Sequence, residues 1–324
     1  MIRAGAHWSA RRARVGRTLL PCLSASAALL VLAGGCAHRG AAVSLAGTPA
    51  PALAAGSSAS TSEAEAARVR GAADAAHLRE EAGRLLDRLR AAHRLPETLS
   101  AEAKAFVDAA EGGGRYGLLI AIQRPSSLRI DALTPWGEPA ASLVAHQGRF
   151  FLRDQRNGVF LRGPSSPRNL ARLLPAPLRD DELASLLCGA PPELAGAEVR
   201  SSEDLGDGRR RLFLSTLEDP AALTLRGFSQ ELLVGDDLRL LEVKRLTAGG
   251  TPLLLWTATL DEHDDKSGAQ VPRLLRLRVP KETSGEAKDL VIDLRIKNAI
   301  TGKPPPPSAF TLLPPPGMRV EELP

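Results

Sequence analysis

The apolar residues of the chain follow three different spacings from its N-terminus to its C-terminus. Residues 19–32 form a continuous apolar run that follows a basic stretch. Leu85, Leu86 and Leu89 then recur at helical spacing, and from about Leu99 onward apolar and charged residues alternate. Because a period of 3.6 residues marks a helix and a period of two marks a strand, this pattern predicts one helix followed by a series of strands.

The predicted helix has start and stop signals in the sequence. Ser62 followed by Glu65 three residues later has the pattern of an N-terminal capping box. Pro96 cannot continue a helix, so the helix is expected to end at Leu95. The sequence therefore predicts a helix over residues 62–95 whose leucines form one buried stripe.

Each predicted strand has an apolar face and a charged face. The alternation is found in the segments Tyr116–Ile122, Leu128–Ala132, Leu241–Lys244, Leu275–Val279 and Leu290–Lys297. In the third of these, Leu241 and Val243 are predicted to point to the apolar side, opposite to Glu242 and Lys244. Glycine-rich turns such as residues 111–114 separate neighbouring segments closely enough for antiparallel hairpins. The sequence thus predicts a curled antiparallel sheet with one apolar face.

A second helical stretch, residues 166–189, interrupts the strands. Its leucines form two short apolar stripes, at Leu170, Leu173 and Leu174 and at Leu183, Leu186 and Leu187. Since a sheet must bury its apolar face against something, the N-terminal helix and these short lid helices are expected to lie across the concave side. If the helices pack loosely on the sheet, an apolar cavity remains between them; if they pack tightly, the result is an ordinary hydrophobic core. The predicted fold class is α+β.

The first 61 residues have the composition of a signal peptide and a tether. Basic residues up to Arg17 precede the apolar run, which ends at Leu32-Ala33-Gly34-Gly35-Cys36. This ending resembles the bacterial lipobox, in which the cysteine is diacylated and becomes the new N-terminus. We therefore predict a signal peptide at residues 1–35, lipidation of Cys36, and a flexible linker to residue 61, before a domain at 62–324. The alternative is an ordinary secreted protein with an incidental Cys36.

The positive charge of the chain comes from the predicted signal peptide. The chain has 42 Lys and Arg against 37 Asp and Glu, a formal net charge of +5, and five of the arginines precede Cys36. Without them the basic and acidic residues balance at 37 each. A neutral domain with 3% aromatic residues lacks the composition of a nucleic-acid-binding protein.

Candidate catalytic and metal-binding residues are few. Cys188 lies among leucines in a helical pattern, which favours a small buried cysteine over a thiol nucleophile. The histidines have no HExxH spacing. The acidic residues of the segment 261–265 could ligate a hard cation, but their place between two strands favours a solvated hairpin tip. The sequence predicts no catalytic or metal site and no cofactor apart from the covalent lipid on Cys36.

From about Ala82 to Pro324, the order of these elements resembles the LolA/LolB lipoprotein-carrier superfamily of Gram-negative envelopes. The stretches that carry the resemblance are GLLIAIQRP, SSLRIDALTPWGEP, SLVAHQGRFFLRD and the closing AFTLLPPPGMRVEEL. Each stretch is a weak signal alone, and their order strengthens it. The resemblance implies an unclosed antiparallel β-barrel covered by helices, in which an apolar cavity holds the acyl chains of lipoproteins.

The resemblance also implies roles for two residues. Arg124, before Pro125, matches an arginine that holds the lid helices closed in LolA-like carriers; the alternative is a surface arginine at a strand end. Trp136, in the turn Leu133-Thr134-Pro135-Trp136-Gly137, occupies a hairpin that touches the membrane in LolB-like proteins. Tryptophan suits a membrane interface because its ring is buried while its N–H stays hydrated. The alternative is a Trp136 that folds back on the sheet.

The expected protein is a LolB-like outer-membrane lipoprotein that faces the periplasm as a monomer, with no enzymatic activity. It would bind acyl chains and receive lipoproteins from a periplasmic carrier protein. Ala37 is not the aspartate that retains lipoproteins in the inner membrane of enteric bacteria, which favours the outer membrane. The alternative is a structural or assembly lipoprotein that uses the same fold, with a filled core, to bind a protein partner.

Overall fold

A computed structural model describes residues 58–93, 97–110, 113–217, 227–264, 271–284 and 288–324. The predicted signal peptide, Cys36 and the linker up to residue 57 lie outside the described residues. Among the described residues, all members of the three hydrophobic cores fall between Ala82 and Leu323. We call residues 58–324, which contain all of these core residues, the folded segment.

In the described ranges, the folded segment has a long helix, three short α-helices, a 3₁₀ turn and fourteen strands. The helices are α1 (Ser58–Ala92), α2 (Pro167–Leu170), α3 (Asp180–Leu187) and α4 (Lys281–Ser284), and the 3₁₀ turn is Pro307–Phe310. The strands are β1 (Thr98–Asp108), β2 (Gly114–Gln123), β3 (Ser127–Leu133), β4 (Pro139–His146), β5 (Arg149–Asp154), β6 (Val159–Pro164), β7 (Glu198–Gly206), β8 (Arg209–Ser215), β9 (Gly227–Val234), β10 (Leu240–Ala248), β11 (Leu254–Asp264), β12 (Val271–Val279), β13 (Leu290–Thr301) and β14 (Arg319–Glu322).

All strands belong to one curved sheet that is not closed into a barrel. Its order is β14-β6-β5-β4-β3-β2-β1-β13-β12-β11-β10-β9-β8-β7, so that β14 and β7 are its two edges. All neighbouring strands except one pair are antiparallel, which confirms the predicted architecture. The alternation did not predict the exception, in which the C-terminal strand β14 pairs parallel with β6.

The alternation of apolar and charged residues sets the inner face of the sheet. Leu290, Ile292, Leu294 and Ile296 of β13 are all buried, while Arg295 between them is exposed. In β10 the prediction for Leu241 is wrong, because a bulge at this residue interrupts the pairing with β9. A bulge inserts one extra residue into the strand. Leu240 before the bulge and Val243 after it are therefore the residues that point inward.

The long helix α1 has the predicted buried stripe and a different start. Leu85, Leu86 and Leu89 are buried against the sheet. The predicted N-cap at Ser62 is wrong, because the helix already begins at Ser58. Residues 58–61 contain no proline or glycine that would stop a helix, so the helix continues through them toward the N-terminus. Among the described residues, no helix has the length and apolar character needed to cross a membrane.

Three hydrophobic cores hold the fold together. The main core lies between the inner face of the sheet, α1 and α3, and a smaller one joins α2 to β4, β5 and β6. On the opposite face, Phe310 and Leu312 of the C-terminal segment cover Val144 and Phe160. Phe310 also stacks on His146, with 5.9 Å between ring centroids. The C-terminal segment therefore covers part of the outer face of the sheet before it ends in β14.

Candidate functional site

The inner face of the sheet is covered by α1 and by the lid segment, residues 166–189. Leu186 and Leu187 of α3 are completely buried between the helix and the sheet, and Leu183 is 2% exposed. Each leucine buried in this way contributes roughly 1.5–3 kcal/mol. The lid segment therefore occupies most of the apolar space that the sheet encloses, and access to the inner face requires the lid segment to move.

One apolar cavity remains open beside the lid segment. It has a volume of about 430 Å³. Ala109, Val279 and Leu290 line it from the strand ends, and the lid segment lines it with Pro175 and Pro177. These strand ends and the β3–β4 hairpin lie at the same end of the strands, because Val107 pairs with both Gly114 and Ile292 and Gly117 pairs with Leu133. We call this end of the sheet the rim and the cavity the rim cavity.

A buried ion pair joins the sheet to the lid segment. Arg245 of β10 donates from Nη2 to Glu182 of α3 at 2.9 Å, and both side chains are 5% exposed. The same Nη2 donates to Gln230 of β9 at 2.6 Å. The guanidinium also lies 5.5 Å from the ring centroid of Trp256. We call the Arg245–Glu182 pair the latch, because it is a specific polar contact between the sheet and α3.

Glu182 connects the latch to the start of α3. Its Oε2 accepts a hydrogen bond from the backbone N–H of Arg179 at 2.9 Å, which caps the helix. Arg179 also donates two hydrogen bonds of 2.9 Å to Asp181, and this contact raises the pKa of the Arg179 guanidinium. Burial lowers the pKa of Arg245, and the charge of Glu182 opposes that shift. An arginine stays protonated under such shifts, so Arg245 keeps its positive charge at neutral pH.

The latch was not predicted from the sequence, although the position of Arg245 in its strand was a signal for it. Arg245 follows Val243 by two residues, so the strand period places it on the apolar face. A charged residue at an inward position needs a partner, since a lone buried charge is costly. The partner, Glu182, is 63 residues away along the chain and could not be identified from the pattern.

Arg124 directly follows β2, at the end of this strand that lies away from the rim. It is half-buried and lines a cavity of about 400 Å³ with Leu86 and His93 of α1 and Ala190, which directly follows the lid segment. Its charge acts on Cys188, the residue that ends α3. This position is next to both covering elements, as a role in holding the lid segment requires, and that role stays a prediction.

Cys188 is a buried structural residue. It is 2% exposed, and burial raises the pKa of its thiol to about 12 despite the nearby charge of Arg124. A thiol with this pKa stays protonated and is a poor nucleophile at neutral pH. The prediction of a small buried cysteine is confirmed.

Trp136 projects from the rim into solvent. It is 87% exposed, so the alternative in which it folds back on the sheet is wrong. The hairpin that carries it is well formed: Thr134 N donates to Glu138 O at 2.7 Å, and Gly137 N donates to Thr134 O at 3.0 Å. Gly137 has φ of +88°, which a residue with a side chain would adopt only with strain. Membrane contact by Trp136 stays a prediction.

The acidic segment at 261–264 has the exposure expected of a solvated tip. Asp261 and Glu262 are exposed at the end of β11, and residue 265 lies outside the described residues. Within the described part of the chain, no group of three or more His, Cys, Asp or Glu side chains is placed to hold a metal ion.

The chain matches no protein-family model and no curated protein sequence. Among solved structures, it is similar to a DUF1329 family protein from Desulfovibrio piger, at 12% identity and a TM-score of 0.53, over 72% of this chain and 97% of that chain. It is also similar to a domain from Vibrio parahaemolyticus named for outer-membrane lipoprotein sorting, at 12% identity and a TM-score of 0.52, with the same coverage. A LolA superfamily protein from Nitrosomonas europaea matches at 12% identity and a TM-score of 0.49, over 71% and 97% of the two chains.

At this identity the similarity concerns the fold. The chain shares its fold, one large, unclosed, curved sheet whose inner face is covered by helices, with the Desulfovibrio piger protein and the Vibrio parahaemolyticus domain.

Proposed function

We propose that this protein binds the acyl chains of lipoproteins or lipids on the inner face of its sheet and delivers them to a membrane, as a LolB-like localisation factor. The observation that carries the proposal is that the inner face is apolar and its cover is a separate lid segment, tied down by the latch and bordered by the rim cavity. The fold that it shares with a lipoprotein-sorting domain supports the proposal.

The physical requirement for such a carrier is an apolar surface that can be exposed and covered again. Each methylene of an acyl chain costs roughly 0.8 kcal/mol in water, so a carried chain must replace protein contacts of similar size. Leu186 and Leu187 of α3 supply such contacts in the closed state. When α3 swings away, an acyl chain takes their place against the sheet. The role needs no catalytic group, and we propose none.

Arg124 and Arg245 would act together on the cover. Arg245 holds the start of α3 through Glu182, and Arg124 lies near its end, at Cys188. The C-terminus of a helix has a partial negative charge, which favours a cation there. We propose that both arginines stabilise the closed state and that a periplasmic carrier protein hands over the cargo when the lid segment opens.

The proposal places the protein at the outer membrane through a lipid on Cys36. One acyl chain gives only marginal membrane binding, whereas several chains anchor a protein stably. We expect Cys36→Ser to release the protein from the membrane into the soluble periplasmic fraction, with Cys188→Ser as a control that stays attached. Metabolic labelling with a palmitate analogue should mark the native chain and leave Cys36→Ser unmarked. A native chain that takes up no label would contradict the anchor.

Delivery is expected to depend on Trp136. Because its side chain is 87% exposed, Trp136→Glu should change stability by less than about 0.5 kcal/mol while placing a charge where the hairpin meets the headgroups. We expect this variant to load cargo normally and to lose transfer to liposomes, whereas Trp136→Phe keeps it. If Trp136→Glu delivers as well as the native chain, the hairpin is not the membrane-contact site.

One observation favours the second candidate function, a structural or assembly lipoprotein. The side chains of α1 and α3 fill most of the inner face in the closed state. A protein that never opens would keep this filled core and use its surface to bind a protein partner. The two functions differ in whether an acyl chain reaches the inner face.

A further inference from the structure

A second large concavity lies on the outer face of the sheet, next to the rim. It has a volume of about 860 Å³. Its lining comes from β1, β2, β12, β13 and the start of the β3–β4 hairpin. We call it the outer groove, and its charged and aromatic lining residues are Lys104, Phe106, Arg115, Tyr116, Arg276, Asp293 and Arg295.

The register of the sheet places like charges next to each other in this groove. Lys104 of β1 lies directly opposite Arg295 of β13. Like charges at opposite positions of neighbouring strands destabilise a sheet. Within the part of the chain that the structure describes, neither side chain forms an ion pair with a carboxylate. A pair that costs stability and has no internal partner is expected to serve an external anion.

The next row of residues adds two more cations. Arg276 donates two hydrogen bonds to Asp293, at 2.7 and 2.9 Å, so the carboxylate in the groove is already occupied. The Arg115 guanidinium lies 5.8 Å from the ring centroid of Phe106, its neighbour across β1 and β2. Four basic side chains therefore surround a single carboxylate, although the folded segment as a whole has no excess of basic residues.

Exposed aromatic residues accompany these cations. Phe106 is 44% exposed on the outer face, and Tyr116, which the strand alternation places on the opposite face, is 46% exposed at the rim. The wall of the groove continues through Pro135 to Trp136, the most exposed large apolar residue of the described chain. An acidic protein partner would need the cations alone. Cations beside exposed aromatic residues match the headgroup region of a bilayer, where phosphates lie next to apolar acyl chains.

The floor of the groove is open at Gly117. Gly117 lies on β2, where it pairs with Lys104 of β1 on one side and with Leu133 of β3 on the other. A Cβ at Gly117 would approach Leu133 no closer than 3.6 Å, which is an ordinary contact, so packing does not require a glycine here. Its absence of a side chain leaves space beside Lys104 for a ligand group.

We propose that the outer groove is a docking site for the phosphate headgroups of anionic phospholipids in a bilayer. The phosphates lie between Lys104 and Arg295, and Phe106 and Trp136 enter the interface. This contact turns the rim, and with it the rim cavity, toward the membrane. The inference rests on the proposed function only in requiring that the protein works at a bilayer surface.

The test is flotation of the folded segment with vesicles, without cargo. The vesicles contain either phosphatidylcholine alone or equal parts of phosphatidylcholine and phosphatidylglycerol. We expect at least about tenfold stronger binding to the anionic vesicles, since each surface Lys or Arg adds roughly a factor of five, and weaker binding as salt increases. Lys104→Glu/Arg295→Glu should lose that gain. The matched control, Arg149→Glu/Lys303→Glu, changes the same charge at exposed positions outside the groove and should bind like the native segment.

A second variant keeps the test valid if charge reversal disturbs folding. Lys104→Gln removes one of the two opposed cations, so it should bind anionic vesicles several-fold more weakly while its thermal unfolding midpoint stays the same or rises. Equal loss in the control pair would overturn the proposal, because nonspecific charge would then explain the binding. Equal binding to both kinds of vesicle would also overturn it. Neither result depends on acyl-chain binding, so the docking site and the proposed function can fail separately.

Discussion

Replacement of Arg245 with methionine is expected to destabilise the folded segment by about 3 kcal/mol, within the 3–5 kcal/mol typical of removing one partner from a buried ion pair. Glu182 then stays buried without its main counter-ion, and Gln230 loses its 2.6 Å donor. The value lies at the low end because Arg179 remains 3.7 Å from Glu182. Denaturant unfolding of the native and variant segments measures the difference in the free energy of unfolding.

The double variant Arg245→Met/Glu182→Leu distinguishes a broken pair from a missing one. With both charges gone, no buried carboxylate is left unpaired, so part of the lost stability should return. The recovery is incomplete because Glu182→Leu also removes the cap on the Arg179 N–H, which costs about 1 kcal/mol. Arg278→Met is the matched control: it removes an exposed arginine from its ion pair with Asp289, and exposed pairs contribute roughly 0–1 kcal/mol. If Arg245→Met costs no more than Arg278→Met, the latch does not hold the lid segment to the sheet.

Local patterns predicted most of the fold because they follow directly from burial. The inward residues of β13 and the leucine stripe of α1 are where the two periods place them. The bulge at Leu241 was not predictable, since the inserted residue is itself apolar and fits the alternation. The start of α1 was missed because the capping-box pattern at Ser62 does not stop the helix, and residues 58–61 contain no proline or glycine that would.

Both charged sites required long-range information that the sequence does not contain in local form. Glu182 and Arg245 meet only when α3 packs across the sheet. In the sequence, Lys104 and Arg295 each have the pattern of an ordinary outward-facing charge on a separate strand. Only the pairing of β1 with β13 brings them together. Net charge was a poor guide for the same reason, because a balanced total conceals a local cluster. Trp136 was found from sequence since an aromatic residue in a tight turn is unusual whatever surrounds the turn.

The two tryptophans of the folded segment report separately on the rim and on the inner face of the sheet. Trp136 is exposed at the rim, and Trp256 is 1% exposed on the inner face, beside Arg245 of the latch. In a Trp136→Phe variant, the fluorescence therefore comes from Trp256 alone. An acyl chain brominated along its length quenches a tryptophan only on close contact, so it reports directly whether the chain reaches the inner face.

We expect the brominated chain, added below its micellar concentration to the Trp136→Phe segment, to quench Trp256 strongly and saturably. The same chain without bromine should compete for the site. The Trp256→Phe segment, in which Trp136 is the fluorophore, serves as the control and should show little quenching without vesicles. Saturable quenching of Trp256 is the result that acyl-chain binding beneath the lid segment predicts. A Trp256 that stays unquenched in a folded segment would contradict it and favour the lipoprotein with a permanently filled core.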